Sequence, residues 1–334
     1  MSKKVALALA SGGPRGFAYI GAIEELEARG YQITSVAGCS AGALVGGIYA
    51  AGGLSAFKEW LFNLDPMQVV TLMDFSISKN YLVKGEKVMK AIKERVPEVN
   101  IEDMAIPFTA VATDLFTGEE VLFREGPLFE AIRASISIPS MFKPATSKGR
   151  TLIDGGIVNT FPLNRATRTP GDILVGFNVN QIDAGVIQGF LDSRADLVKG
   201  KEDMSLLQRI QTSIQEFRLV ADGREEHLPV SAGDNYFKIL QRSFGIMNCT
   251  IARMGIALTP PDILVDLPFD TYHGVYGYSH AQEIAQVGRQ LMADALDRYE
   301  EEHDQRHAQG HCKGSRSLRG PGLLCHEQPH GRRW

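Results

Sequence analysis

Cysteine is scarce in this 334-residue chain: Cys39, Cys249, Cys312 and Cys325 are all there is, with no Cys-x-x-Cys pair among them. That excludes a disulfide-framed scaffold and a dithiol redox centre, and it fits a reducing compartment. Long apolar runs are missing too. The longest candidate, Ala41–Leu54, is broken by glycines at 42, 46, 47, 52 and 53, and nothing approaches the roughly 20 residues that span a bilayer. Positive charge is not in excess: the formal net charge is −4, which argues against nucleic acid as a partner, because phosphate backbones select basic surfaces. Histidine is sparse where a fold would use it. Five of the eight histidines fall between His303 and Trp334, leaving His227, His273 and His280 for everything before.

What remains is ordinary globular composition, 44% hydrophobic and 22% charged, long enough to bury a large core. At the start, Lys3-Lys4 followed by Val5–Ala10 imitates a signal peptide. Its apolar part is six residues, short of the roughly 7–15 of a signal core, and it runs into a glycine-rich turn. A buried strand and a cytoplasmic protein are the expectation. The other end carries a basic, His/Gly-rich tail, 303–334, without apolar periodicity. It reads as a disordered tail; a metal site from His311, Cys312, Cys325 and His326 is the alternative.

Between these ends strands and helices alternate. Strands are expected at 5–10, 33–39, 108–113, 120–123, 151–153, 173–179 and 263–265. Helices are expected at 17–29, 41–51, 54–73, 85–96, 128–134, 195–221, 236–253 and 279–301. Strand–helix–strand spacing implies right-handed crossovers and a mostly parallel sheet covered on both faces. Residues 1–302 read as one α/β domain.

Three motifs carry chemistry. Gly38-Cys39-Ser40-Ala41-Gly42 is a G-x-S-x-G between a strand and a helix, a turn so tight that the residues flanking the serine must be small, with the hydroxyl lifted to the sheet edge. Ser40 is the candidate nucleophile; the plainer reading is a helix N-cap. Ser11-Gly12-Gly13-Pro14-Arg15-Gly16 also joins a strand to a helix. It matches no phosphate-cradle pattern, but backbone N–H groups of Gly12, Gly13, Arg15 and Gly16 can form an oxyanion hole; Pro14 has no N–H to give. Asp154-Gly155-Gly156 follows a strand and can present a carboxylate, or can simply be a turn. No histidine lies in a motif of its own, so an aspartate accepting the serine proton directly is one option. A triad completed by His280 or His273 is another.

In this order and spacing the three motifs resemble the patatin-like phospholipase family, and small bacterial members most closely. Ala112-Thr113-Asp114-Leu115 with Thr117-Gly118, the run Ala134–Pro144, and Asn159 with Pro162 add to the resemblance, which extends from Val5 to Arg298. It implies a three-layer α/β/α sandwich and a serine lipid acyl hydrolase with Ser40 as nucleophile and Asp154 as general base. Gly12, Gly13, Arg15 and Gly16 would form the oxyanion hole, with Gly38, Gly42, Gly155 and Gly156 as supporting motif positions. Ser11 stands where the family often has a further glycine. No metal or organic cofactor is implied. The implied substrate is a lipid or fatty-acyl ester, with peripheral membrane contact and self-association left open. The apolar segment Leu61, Phe62, Met67, Val69, Val70, Leu72, Met73 and Phe75 could line an acyl pocket, rest on a membrane, or be ordinary core. A catalytically quiet regulatory or interaction protein is the reading from another class.

Overall fold

The computed structural model describes residues 3–72, 85–139, 141–181, 236–269, 271–272 and 274–314. Eight strands form one sheet: β1 (Lys4–Leu9), β2 (Gln32–Cys39), β3 (Phe108–Asp114), β4 (Glu120–Phe123), β5 (Ala145–Ser147), β6 (Arg150–Asp154), β7 (Ile173–Gln181) and β8 (Ile263–Pro268). The order is β5-β6-β3-β2-β1-β7-β8, with β4 also on β3. β1, β2, β3, β7 and β8 run parallel, whereas β4, β5 and β6 pair antiparallel at the β3 end.

The alternation of β1 explains the layering. Val5, Leu7 and Leu9 point to one face and enter the large core. Ala6, Ala8 and Ala10 point to the other, where Phe161, Leu163 and Ala252 close over them. This is the two-residue strand period filled on both sides, as a central parallel strand requires. The large core is covered by α1 (Ala18–Ala28), α2 (Ala41–Ala50), α3 (Leu54–Phe62), α5 (Glu86–Lys93), α6 (Leu128–Ser135) and the last helix, α9 (Ala281–Gly314). The opposite face is covered by α7 (Tyr236–Leu258) and the Phe161–Leu163 turn. The result is a three-layer α/β/α sandwich.

Three expectations differ in detail. The helix read across 54–73 is two helices, α3 and α4 (Pro66–Leu72); a proline is at home at a helix start and breaks one elsewhere. α9 continues to Gly314, beyond the expected end at 301. The short elements β5 and α8 (Gly274–Ser279) were not anticipated. The helix read at 195–221 lies outside the described residues. Among the described residues no helix is long and apolar enough to cross a membrane.

Candidate active site

The register of β3 brings the two candidate catalytic residues together. β4 occupies one edge of β3, from Ala110 to Thr113. β2 pairs with β3 up to Cys39 opposite Val111, and β6 pairs with it from Leu152 opposite Asp114 to Asp154 opposite Ala112. Since β4 overlaps both, β2 and β6 share the other edge, end to end and running towards each other. Their tips meet between Val111 and Ala112. Ser40 leaves one tip and Asp154 ends the other, so 114 residues of separation along the chain collapse to neighbouring positions. The Cys39 Sγ to Asp154 Oδ1 distance is 4.0 Å.

At its tip the backbone of Ser40 is forced. Its φ is 53° and ψ −116°, a conformation that costs a non-glycine residue about 1–3 kcal/mol. The surrounding sequence leaves little choice. A Cβ on Gly38 would stand 2.4 Å from the Gly42 backbone, and one on Gly42 2.2 Å from the Leu9 carbonyl oxygen. The two motif glycines are therefore required by close approach. The Ser40 N–H donates to Ser135 Oγ at 2.8 Å, and that hydroxyl donates on to the Val111 carbonyl at 2.6 Å. Ser40 begins α2, yet its side chain makes no capping bond, so the plain N-cap reading does not account for it.

Asp154 is fully buried. Its N–H donates to the Ser137 carbonyl, its carbonyl accepts from Thr113 Oγ1 at 2.9 Å, and its Oδ1 accepts from the Gly156 N–H at 2.8 Å. Oδ2 is buried without a hydrogen-bond partner. Burial pushes the carboxyl up to about 6, against the opposing pull of the Ser40 hydroxyl and the Gly156 amide. The hydroxyl is thus close enough to favour the carboxylate, although no hydrogen bond of ordinary geometry joins them; such contacts commonly tighten only with substrate. Burial and the neighbouring Asp154 carboxylate raise the Cys39 thiol well above its usual range. It stays protonated and can only act as a weak donor.

The glycine-rich loop lies against this pair. Gly16 packs on the α2 start, where a Cβ would lie 2.5 Å from Ala41 Cβ. Residues Gly13–Phe17 form a 3-10 turn opened by Gly12. In such a turn the amides of Arg15 and Gly16 are those that close i→i−3 bonds, so the amides of Gly13 and of Gly12 before it have no partner within the turn. The Arg15 side chain is spent elsewhere: its Nε donates to the Val179 carbonyl at 3.0 Å and its guanidinium lies over the Phe269 ring. Tyr278 Oη stands 3.8 Å from where a Gly13 Cβ would be, and burial pushes that phenol up to about 12.

His280 is not brought here. Among the described residues, the groups acting on the Asp154 carboxyl are Ser40 and Gly156, with no imidazole among them. His280 lines a cleft of about 350 Å³ with Leu61, Phe62 and Glu283. His227 and His273 lie outside the described residues. Of the tail ligands, Cys325 and His326 also lie outside them, and His311 and Cys312 fall within the span of α9. In the apolar segment after α2, Leu61 and Val69 are buried, whereas Met67 is 73% exposed; Met73 and Phe75 lie outside the described residues. Ser135, Thr113, Asn180 and Tyr278 were not singled out as site residues. Ser135 could have been found, since it sits in the Ala134–Pro144 run.

The patatin-like phospholipase family profile matches residues 7–167, which holds every one of these motifs. An uncharacterized NTE family protein of Mycobacterium tuberculosis is 34% identical over 340 aligned residues, covering 91% of this chain and 94% of that protein. The corresponding protein of Mycobacterium bovis matches equally. Lysophospholipase nte1 of Emericella nidulans is 26% identical over 303 residues, which is 85% of this chain but 18% of that much longer protein. With its sandwich, its serine elbow and a relative matched almost end to end, the chain belongs to the patatin-like phospholipase family.

Proposed function

We propose that this protein is a serine lipid acyl hydrolase working through a Ser-Asp dyad. The observation that carries the reading is the meeting of the β2 and β6 tips, which sets a strained serine beside a buried carboxylate whose Oδ2 is unpartnered. Ser40 Oγ attacks the ester carbonyl as Asp154 Oδ2 takes its proton. The negative oxygen of the tetrahedral intermediate is held by the amides of Gly12 and Gly13, with Arg15 and Gly16 closing the turn that presents them. Collapse expels the alcohol, which recovers the proton from Asp154. Water, deprotonated by the same carboxylate, then attacks the acyl-serine. The fatty acid leaves and Ser40 Oγ regains its proton. Two fixed amide donors are worth several kcal/mol of barrier in such a dry site.

The substrate class, a lipid ester, rests on the family. An apolar rim supports it: Leu115 and Phe116, 46% and 82% exposed, protrude from the turn after β3, beyond the level of the dyad on the same end of the sheet. Such side chains suit a seat on a lipid surface. Covalent labelling with a long-chain fluorophosphonate tests the chemistry. The wild type labels at Ser40 and hydrolyses a fatty-acyl ester; Ser40→Ala does neither. Equal labelling of the two proteins, or none of either, overturns the proposal and leaves the regulatory reading.

A further inference from the structure

The oxyanion loop is anchored from beneath by a chain of side-chain amides. Asn178 and Asn180 lie at the end of β7 and are 3% and 2% exposed. Asn180 Nδ2 donates to the Ser11 carbonyl oxygen at 2.7 Å. The Asn180 backbone N–H donates to Asn178 Oδ1 at 3.0 Å, and Asn178 Nδ2 donates to Asp266 Oδ1 at 2.8 Å. The orientation of each amide is dictated by its partners. A backbone N–H can only donate, so Oδ1 of Asn178 must face it, which turns Nδ2 to the Asp266 carboxylate. A carbonyl can only accept, so Asn180 must present Nδ2 to Ser11.

The consequence lies on the far side of one peptide bond. In a trans peptide the C=O of one residue and the N–H of the next point in opposite directions. Holding the Ser11 carbonyl towards Asn180 therefore aims the Gly12 N–H away from β7. The peptide plane before Ser11 is held as well, because its own N–H donates to the Thr160 carbonyl at 2.8 Å. Val179 sits so close that a Cβ on Gly12 would lie 2.1 Å from its Cγ2, so the strand that supplies Asn180 also fixes the height of the loop.

We infer that Asn180 is a positioning residue for the oxyanion hole, setting the direction of the Gly12 N–H through the Ser11 carbonyl, with Asn178 and Asp266 holding Asn180 in register. This rests on the hydrolase reading above. Misaiming one donor forfeits part of the roughly 10²- to 10³-fold that such a donor provides. Asn180→Asp, which keeps the shape and loses the donor, and Asn180→Ala, which loses both, should each lower kcat for a fatty-acyl ester by about 10- to 100-fold with KM little changed. Affinity for a trifluoromethyl ketone, which forms a tetrahedral oxyanion on the serine, should fall by the same factor as kcat/KM. Circular dichroism checks that each variant is folded. Loss of activity without loss of ketone affinity, or loss confined to KM, overturns the inference. So does full activity in either folded variant. These failures are separate from that of the reaction itself, which shows as wild-type protein that neither hydrolyses the ester nor labels with the fluorophosphonate.

Discussion

Replacing Asp154 by asparagine should slow turnover by orders of magnitude and at the same time stabilise the fold, with the gain appearing only as the pH rises. Burial moves the carboxyl from an ordinary 3.8 to about 6, and each pKa unit corresponds to about 1.4 kcal/mol. Between those two values the native protein keeps a proton that the unfolded chain has released. Wild-type stability therefore declines as pH rises from about 4 to about 6, and is level above that. The decline amounts to about 3 kcal/mol by pH 8. Asparagine is neutral throughout and avoids it. Its Oδ1 can still accept from the Gly156 N–H, now bonded at 2.8 Å to Asp154, and its Nδ2 takes the place of the unpartnered Oδ2. Urea unfolding of both proteins at pH 4 and pH 8 measures the effect; a melting scan should move by roughly 2 °C per kcal/mol for a chain of this size. Loss of the base should lower kcat by about 10²- to 10⁴-fold. A stability difference that is the same at both pH values would refute the claim that a buried carboxylate ionises here. Substantial remaining turnover would refute its role as base.

Because the base must be ionised to act, kcat/KM for an uncharged ester should rise with pH to a plateau, with a midpoint at about 6; a profile governed by a group titrating above 7 contradicts this. Ser40→Gly removes the side chain that makes a φ of 53° costly and should stabilise the fold by about 1 kcal/mol while eliminating turnover, read by unfolding and by ester hydrolysis. Ser135→Ala leaves the Ser40 N–H buried without its acceptor, which should cost about 1–3 kcal/mol and lower kcat, because the serine elbow is then free to relax. His280→Asn should hydrolyse the ester as the wild type does, since the imidazole is not among the groups acting on Asp154; loss of activity would revive a histidine-dependent triad.

The parts of this molecule that were legible in the sequence are those whose cause is local. Val5–Ala10 reads as a strand because apolar side chains must fill both faces of a central strand, and Gly38 and Gly42 announce the elbow because the turn tolerates no Cβ. The break between α3 and α4 was legible and was missed: Asp65-Pro66 with Gln68 is a capping box with proline at the first helical position, its two bonds 2.8 and 3.0 Å long, and the apolar residues on either side drew the reading past it. Ser135, 95 residues from Ser40, and Asn180, 169 residues from Ser11, carry no local signature. A serine at the end of a helix and an Asn-x-Asn at the end of an apolar strand are ordinary residues until the register places them under the elbow and the loop. The pairing of Ser40 with Asp154 was legible only through resemblance. Its physical cause, two strands meeting tip to tip along one edge of β3, requires knowing that β6 runs against β3 while β2 runs with it.

The same edge explains why the locally unfavourable features of this site collect at one point. A strand tip is where the ladder stops supplying partners, so a serine there can be held at a positive φ, and a carboxylate can be buried with one oxygen unpartnered, without disturbing a paired strand. What keeps both in place is supplied by neighbours with no such conflict: the Ser135 hydroxyl on the Ser40 amide, the Gly156 amide on Asp154 Oδ1, and the Asn180 amide on the loop that faces them. Strain of this kind persists only where the surroundings over-determine it. Each tie can be removed separately, so their effects should be unequal in kind. Loss of the Ser135 bond affects stability and rate together, because it releases a strained backbone. Loss of the Asn180 bond also costs some stability, about 1–3 kcal/mol, because the buried Ser11 carbonyl loses its donor, but it reaches the rate through the direction of one amide and leaves the strained Ser40 backbone held.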